Sequence, residues 1–86
     1  MHISYEYYRI FYYVAKYGTI SRAAKELLSN QPNLTRAIHN LEQELGCLLF
    51  TRNHSGMHLT AEGEKLYAHV QIACSHIAAG EAEMLE

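Results

Sequence analysis

One residue limits this chain more than any other: its single proline, Pro32. Proline lacks a backbone N–H and has a fixed φ, so it suits the first turn of a helix and not the interior. Behind it, Leu34, Ile38, Leu41 and Leu45 recur at four, three and four residues, the spacing of one helical face. Ser29-Asn30 ahead of it offers an N-cap, and Gly46 ends the stripe. The spacing therefore predicts a helix over residues 31–45. Upstream, Tyr7, Ile10, Phe11, Val14 and Ala15 also follow helical spacing and stop at Gly18, although Tyr, Ile, Phe and Val favour strands by propensity. Only a short helix fits between Gly18 and Ser29, capped by Thr19 or Ser21, with Ile20, Ala23, Ala24 and Leu27 facing inward.

Downstream, two extended pieces, Cys47–Thr51 and Met57–Thr60, flank the turn-rich Asn53-His54-Ser55-Gly56 and predict a small hairpin. Thr60 then caps a last helix from Ala61. Along it, Leu66, Val70, Ala73, Ile77, Gly80 and Met84 alternate steps of four and three, a heptad seam open to a second chain. Helix, short helix, tight turn, longer helix, hairpin is the order of a winged helix-turn-helix. The expected fold is mainly α: a three-helix core with a small β-hairpin wing in residues 1–60, then a long linker or dimerisation helix in residues 61–86.

Length and composition narrow the function. With 86 residues there is room for one thin core, and 49% hydrophobic against 19% charged residues argues against disorder. The longest stretch free of charged residues, Leu66 to Gly80, falls short of the ~20 residues a membrane span needs. The N-terminus has no basic start before an apolar run, so no signal peptide is expected. Two cysteines, Cys47 and Cys74, make no disulfide scaffold and read as small buried or seam residues, which points to a reducing, cytoplasmic setting. The net charge of −2 disfavours a nucleic-acid partner until it is divided. Residues 1–60 carry six cations against four Glu, and residues 61–86 carry Lys65 against five Glu, so the acid lies in the tail.

The face of the third helix opposite its leucines carries Gln31, Thr35, Arg36, His39, Asn40 and Gln43, with Glu42 and Glu44 near its far end. Amides, a hydroxyl and a guanidinium suit base edges and phosphates in a major groove, and the helix N-terminus adds backbone N–H groups for a phosphate. The ordered set of Phe11 with Val14-Ala15 and Gly18, Arg22-Ala23-Ala24, Gln31-Pro32 with Leu34-Thr35-Arg36, Ile38, Leu41-Glu42, Leu45-Gly46 with Leu49-Phe50 and Arg52, and Leu59-Thr60 with Gly63 resembles the N-terminal DNA-binding region of LysR-type transcriptional regulators of bacteria. The resemblance runs from about Tyr5 to about Met84.

The resemblance implies roles for the matching positions. Gln31 would meet a base edge, adenine by preference, and Pro32 a thymine methyl. Thr35 would bond a base or phosphate, and Arg36 guanine or the backbone. Arg52 would sit at the base of a wing spanning about 51–58, near the minor groove. Asn30 stands where family members usually carry serine and is an equally good cap, with an altered phosphate contact. His54 and His58 replace the usual wing arginines, and Glu62 replaces the usual alanine after the wing threonine. His39, one turn beyond Thr35, is either a solvated surface side chain or, protonated, a phosphate contact that strengthens binding from pH 8 to pH 6. The last helix would pair two copies through Leu66, Val70, Ala73, Ile77 and Met84, presenting two recognition helices to double-stranded DNA with a dyad-symmetric site. A larger effector-binding domain is expected downstream and is absent from this chain.

Other readings are weaker. The tyrosines at 5, 7, 8, 12, 13 and 17 read as core and boundary aromatics rather than a base-stacking platform. His54 and His58 do not converge on a hairpin as they would on a helix, so neither a metal nor a cofactor is expected. The chain has no Asp, no nucleophile with a base at motif spacing and no Gly-rich phosphate loop, so no catalytic residue is assigned. The alternative is a helical oligomerisation or protein-docking module on the same fold with DNA binding lost, which the near-neutral front favours.

Overall fold

A computed structural model describes residues 3–86, so the first two residues of the expected 1–60 unit lie outside the described residues. Among these, four helices and one hairpin follow in order: α1 (Tyr5–Tyr17), α2 (Ile20–Glu26), α3 (Gln31–Leu45), β1 (Phe50–Asn53), β2 (Gly56–Leu59) and α4 (Ala61–Met84). This is the expected mainly helical winged helix-turn-helix, with the third helix starting at Gln31 and ending at Leu45.

The caps explain the boundaries. Thr19, not Ser21, begins α2, its hydroxyl accepting from Arg22 N at 3.1 Å. Asn30 begins α3, its Oδ1 accepting from Asn33 N at 2.9 Å. Gly18 and Gly46 close α1 and α3 in the left-handed conformation. The end of α2 carries no such sequence signal. Leu28 takes a left-handed φ of 55° with its side chain in solvent, Leu28 N donates to Lys25 O, and Ser29 N donates to Ala24 O at 2.9 Å. That is a Schellman stop built on leucine, a conformation costing about 1 kcal/mol that glycine would avoid. It makes the sharp bend ahead of α3.

α1 lies at the centre, packed against α2, α3 and α4. Its Ile10, Phe11 and Val14 meet Ile20, Ala23 and Ala24 of α2 and Leu34, Ala37, Ile38 and Leu41 of α3 in one core, closed by Leu49 and Phe50 at the start of the hairpin. The Phe11 ring lies 5.4 Å from the Phe50 ring and 6.4 Å from the Tyr67 ring, and Tyr12 stacks on Tyr67 at 5.7 Å. Burial, and then the neighbouring Tyr12, pushes the Tyr67 phenol above its usual pKa. Tyr7, Tyr8, Tyr12 and Tyr13 pack half-buried against the core, which agrees with the boundary reading of the tyrosines.

Two expectations are corrected. Strand β1 begins at Phe50 rather than Cys47, because residues 46–49 serve as a connector whose backbone bonds to α3 and Thr60 instead of to a strand. The α4 seam is also not open along its length. Val70 is buried in this chain's own core, and Leu66 and Cys74 pack against it. The heptad reading failed there because the same stripe that continues outward at Ala73, Ile77 and Met84 first covers α1.

Candidate nucleic-acid interface

The site begins with the burial of one face of α3. Leu34, Ala37, Ile38 and Leu41 are in the core, so the helix must turn its other side outward. Gln31, Pro32, Arg36 and His39 are exposed, Thr35 is half-buried, and these five with Asn40 line one shallow depression. At its N-terminal end Asn30 is exposed, its side-chain oxygen committed to the cap and its amide N–H groups left over. The first backbone N–H groups of a helix carry partial positive charge, which favours an anion at this end.

The hairpin comes to the same side. Its register pairs Phe50 with Leu59, Thr51 with His58, Arg52 with Met57 and Asn53 with Gly56, leaving a two-residue His54-Ser55 turn. Directly opposite residues share a sheet face, so Arg52 and Met57 lie together. They line a groove of about 310 Å³ with Thr35, His39 and Glu42 of α3. Arg52 is exposed, its Nε pointing at Met57 Sδ at 3.5 Å. The fold thus places Arg52 beside Thr35 and His39, although it lies well downstream of them in the chain.

Three contacts hold the hairpin in that place. Met57 N donates to Gly18 O at 2.9 Å, tying β2 to the α1–α2 corner. Gly56 beside it has φ +121°, and a Cβ there would overlap the Gly18 carbonyl oxygen, so only glycine fits. Thr60 Oγ1 donates to Leu48 O at 2.7 Å and accepts from Gly63 N at 3.0 Å, joining the end of the wing to the connector and to α4. At the tip, Ser55 N and Oγ both donate to Asn53 Oδ1, and His58 Nε2 lies 2.7 Å from Ser55 Oγ. His58 is therefore tied to the hairpin's outer face, while His54 is exposed at the turn.

Two residues of the expected polar face have other tasks. Asn40 Nδ2 donates to the Tyr7 hydroxyl at 3.2 Å, half-buried between α3 and α1, so it braces the helices. Glu42, expected on the outer face, turns toward the connector. Its Oε2 accepts from Leu49 N at 2.7 Å and from Phe50 N at 3.4 Å. The Leu41-Glu42 pair among the family-like residues was the only sequence sign of this clamp. Glu42→Ala leaves two inward backbone N–H groups without their acceptor and is expected to lower stability by about 1–3 kcal/mol. Glu42→Gln keeps an acceptor oxygen and should lose less. Urea unfolding with amide exchange at Leu49 checks both; equal losses in the two variants would remove the clamp.

Asn33 was not singled out by sequence. It is exposed in the first turn of α3, and its Oδ1 accepts from Arg36 Nη1 at 3.2 Å. The i, i+3 spacing of the two residues is the signal that was available.

A family model described as bacterial regulatory helix-turn-helix protein, lysR family, matches residues 5–64. The HTH-type transcriptional regulator YofA of Bacillus subtilis is 48% identical over 58 residues, which cover 67% of this chain and 20% of that protein. The HTH-type transcriptional regulator ClcR of Pseudomonas putida is 51% identical over 55 residues, 64% of this chain and 19% of that one. The chain therefore spans about one fifth of the length of the curated relatives it matches. Among solved structures, a CbnR DBD–DNA complex superposes with a TM-score of 0.82 at 30% identity, covering 94% of this chain and 93% of that one. A complex of the BenM DBD with catB site 1 DNA superposes with a TM-score of 0.85 at 30% identity, covering 94% and 91%.

Proposed function

Because this chain belongs to the lysR family of bacterial regulatory helix-turn-helix proteins, we propose that it is the DNA-reading module of a transcriptional regulator, with residues 1–60 as the reading unit and residues 61–86 as the linker helix. The observation that carries this reading is the outward face of α3. Gln31, Pro32, Thr35, Arg36 and His39 are held toward solvent by a fully buried opposite face, with Arg52 brought to the same side. A helix of this width enters a major groove and offers its first residues to base edges. Gln31 meets a base edge, Pro32 a thymine methyl, and Thr35 a base or phosphate. Asn30 and His39 meet phosphates, and Arg52 lies at the base of the wing near the minor groove. The similar solved structures that hold DNA support DNA binding by this fold.

Two copies join through α4, a 24-residue helix of about 36 Å. With Val70 withdrawn into the core, the pairing surface consists of Ala73, Ile77 and Met84, joined by Ile72, all exposed. The dimer reads a dyad-symmetric site with half-sites one helical turn or a multiple apart, roughly 34 Å. A downstream effector-binding domain completes the regulator. The module binds and does not catalyse, needs no cofactor and works in the cytoplasm. No helix among the described residues is long and apolar enough to cross a membrane.

Selection of duplexes from a random pool tests the reading, and an interrupted palindrome is the expected product. On that site, Gln31→Ala and Arg36→Ala should each weaken binding by roughly 1–3 kcal/mol. Wild-type affinity in both variants would overturn the assigned helix face. Absence of any enrichment at low salt would favour a protein-docking role for the same fold.

A further inference from the structure

We propose that Asn33 is a specificity-determining positioning residue: by holding Arg36 it commits that guanidinium to guanine. The inference rests on the DNA-reading role above and deepens it. Asn33 Oδ1 accepts from Arg36 Nη1 at 3.2 Å, and both side chains are exposed in the first turns of α3. An asparagine reads adenine by using its oxygen and its amide N–H together, against N6–H and N7. Here one of that oxygen's two lone pairs already accepts from Arg36. Asn33 keeps its amide N–H groups, and Arg36 keeps the rest of its five donors. The pair therefore presents chiefly donors.

A surface made chiefly of donors best matches an edge made only of acceptors. In the major groove, guanine offers N7 and O6 side by side, whereas adenine sets a donor beside its N7. The tether has a second effect. A free arginine stem carries large rotamer entropy and reaches a phosphate as easily as a base. Bound to Asn33, the guanidinium is held over the N-terminal turn of α3, where recognition helices meet base edges. The cap fixes the anchor in turn, since Asn33 N is itself held by Asn30 Oδ1 at 2.9 Å.

Selection from a random duplex pool, run in parallel on the wild type, Asn33→Ala, Asn33→Asp and Arg36→Ala, tests the proposal, with thermal midpoints measured alongside. The wild type is expected to enrich guanine at one position per half-site, about tenfold over adenine, and Arg36→Ala to lose that preference. Asn33→Ala should bring it to within about twofold with the midpoint unchanged, as suits an exposed side chain. Asn33→Asp keeps the acceptor and should keep the guanine preference, at lower overall affinity because it adds negative charge beside phosphates. A guanine preference that survives Asn33→Ala overturns the inference and leaves the DNA-reading role standing. So does a uniform loss of affinity across all sequences with a shallower salt dependence, which would make the pair a phosphate contact. If the wild type enriches nothing, the DNA-reading role falls and this inference with it.

Discussion

Replacing Phe11 with alanine is expected to lower the unfolding midpoint by roughly 15–30 °C, read by circular dichroism at 222 nm. Phe11 is fully buried, and its ring links its own helix to two separately encoded parts of the chain. It lies within α1, against Phe50 at the start of the wing, and against Tyr67 on α4. Truncating a buried phenylalanine costs about 3–5 kcal/mol, from lost transfer energy and the cavity left behind. Domains of this size lose about 4–8 °C per kcal/mol, and total stabilities start near 5 kcal/mol. Much of the folded population would therefore be lost at growth temperature, and DNA binding with it. Phe11→Leu fills part of the space and should fall between the two. A midpoint shift below about 5 °C in the alanine variant would show that the three elements do not share this ring as their common support.

Gly63→Ala is the second large effect, and its sign makes it informative. In an isolated helix this change stabilises by about 0.5–1 kcal/mol, because glycine loses more backbone entropy. Here it is expected to destabilise by about 3 kcal/mol. Gly63 sits in the first turn of α4, where a Cβ would overlap the Leu49 carbonyl oxygen and press on Leu59 Cδ2 at 3.0 Å. The oxygen cannot step aside. Leu49 O accepts from Thr60 N at 3.0 Å, while Leu49 N is held by Glu42 at 2.7 Å. Relief requires moving the connector, and with it β1 and Arg52. Urea unfolding should show the loss, and DNA affinity should fall further than Arg52→Ala alone would take it. A neutral or stabilised Gly63→Ala protein would mean that α4 does not press so closely on the connector.

Local physics accounts for how much was legible in advance. The bounds of α3, the Asn30 cap, the stop at Gly18 and the inward stripe of Leu34, Ile38 and Leu41 follow from spacing and from the special backbones of proline and glycine. These effects act within four residues, and a sequence displays them directly. The outward set of Gln31, Pro32, Arg36 and His39 follows in turn, since a helix with one face buried must expose the other.

What escaped the sequence depends on partners distant along the chain or on equal alternatives. Leu28 ends α2 without any of the residues that normally mark a stop, because the Schellman bonds and the packing of both flanking helices outweigh its left-handed strain. Glu42 looks like any solvent-facing helix glutamate until the connector folds back and offers it two backbone N–H groups. Asn40 is one more polar residue on a polar face until α1 brings the Tyr7 hydroxyl to 3.2 Å.

By itself, then, the order of residues determined the elements and the side each one buries, because periodicity and backbone chemistry are local. Only the tertiary structure decided which polar side chains of α3 remain free to bind, and that the first part of the α4 stripe, Val70 included, belongs to this chain's own core. An apolar stripe records that a surface must be covered; which surface covers it is settled by the three-dimensional meeting of α1 and α4.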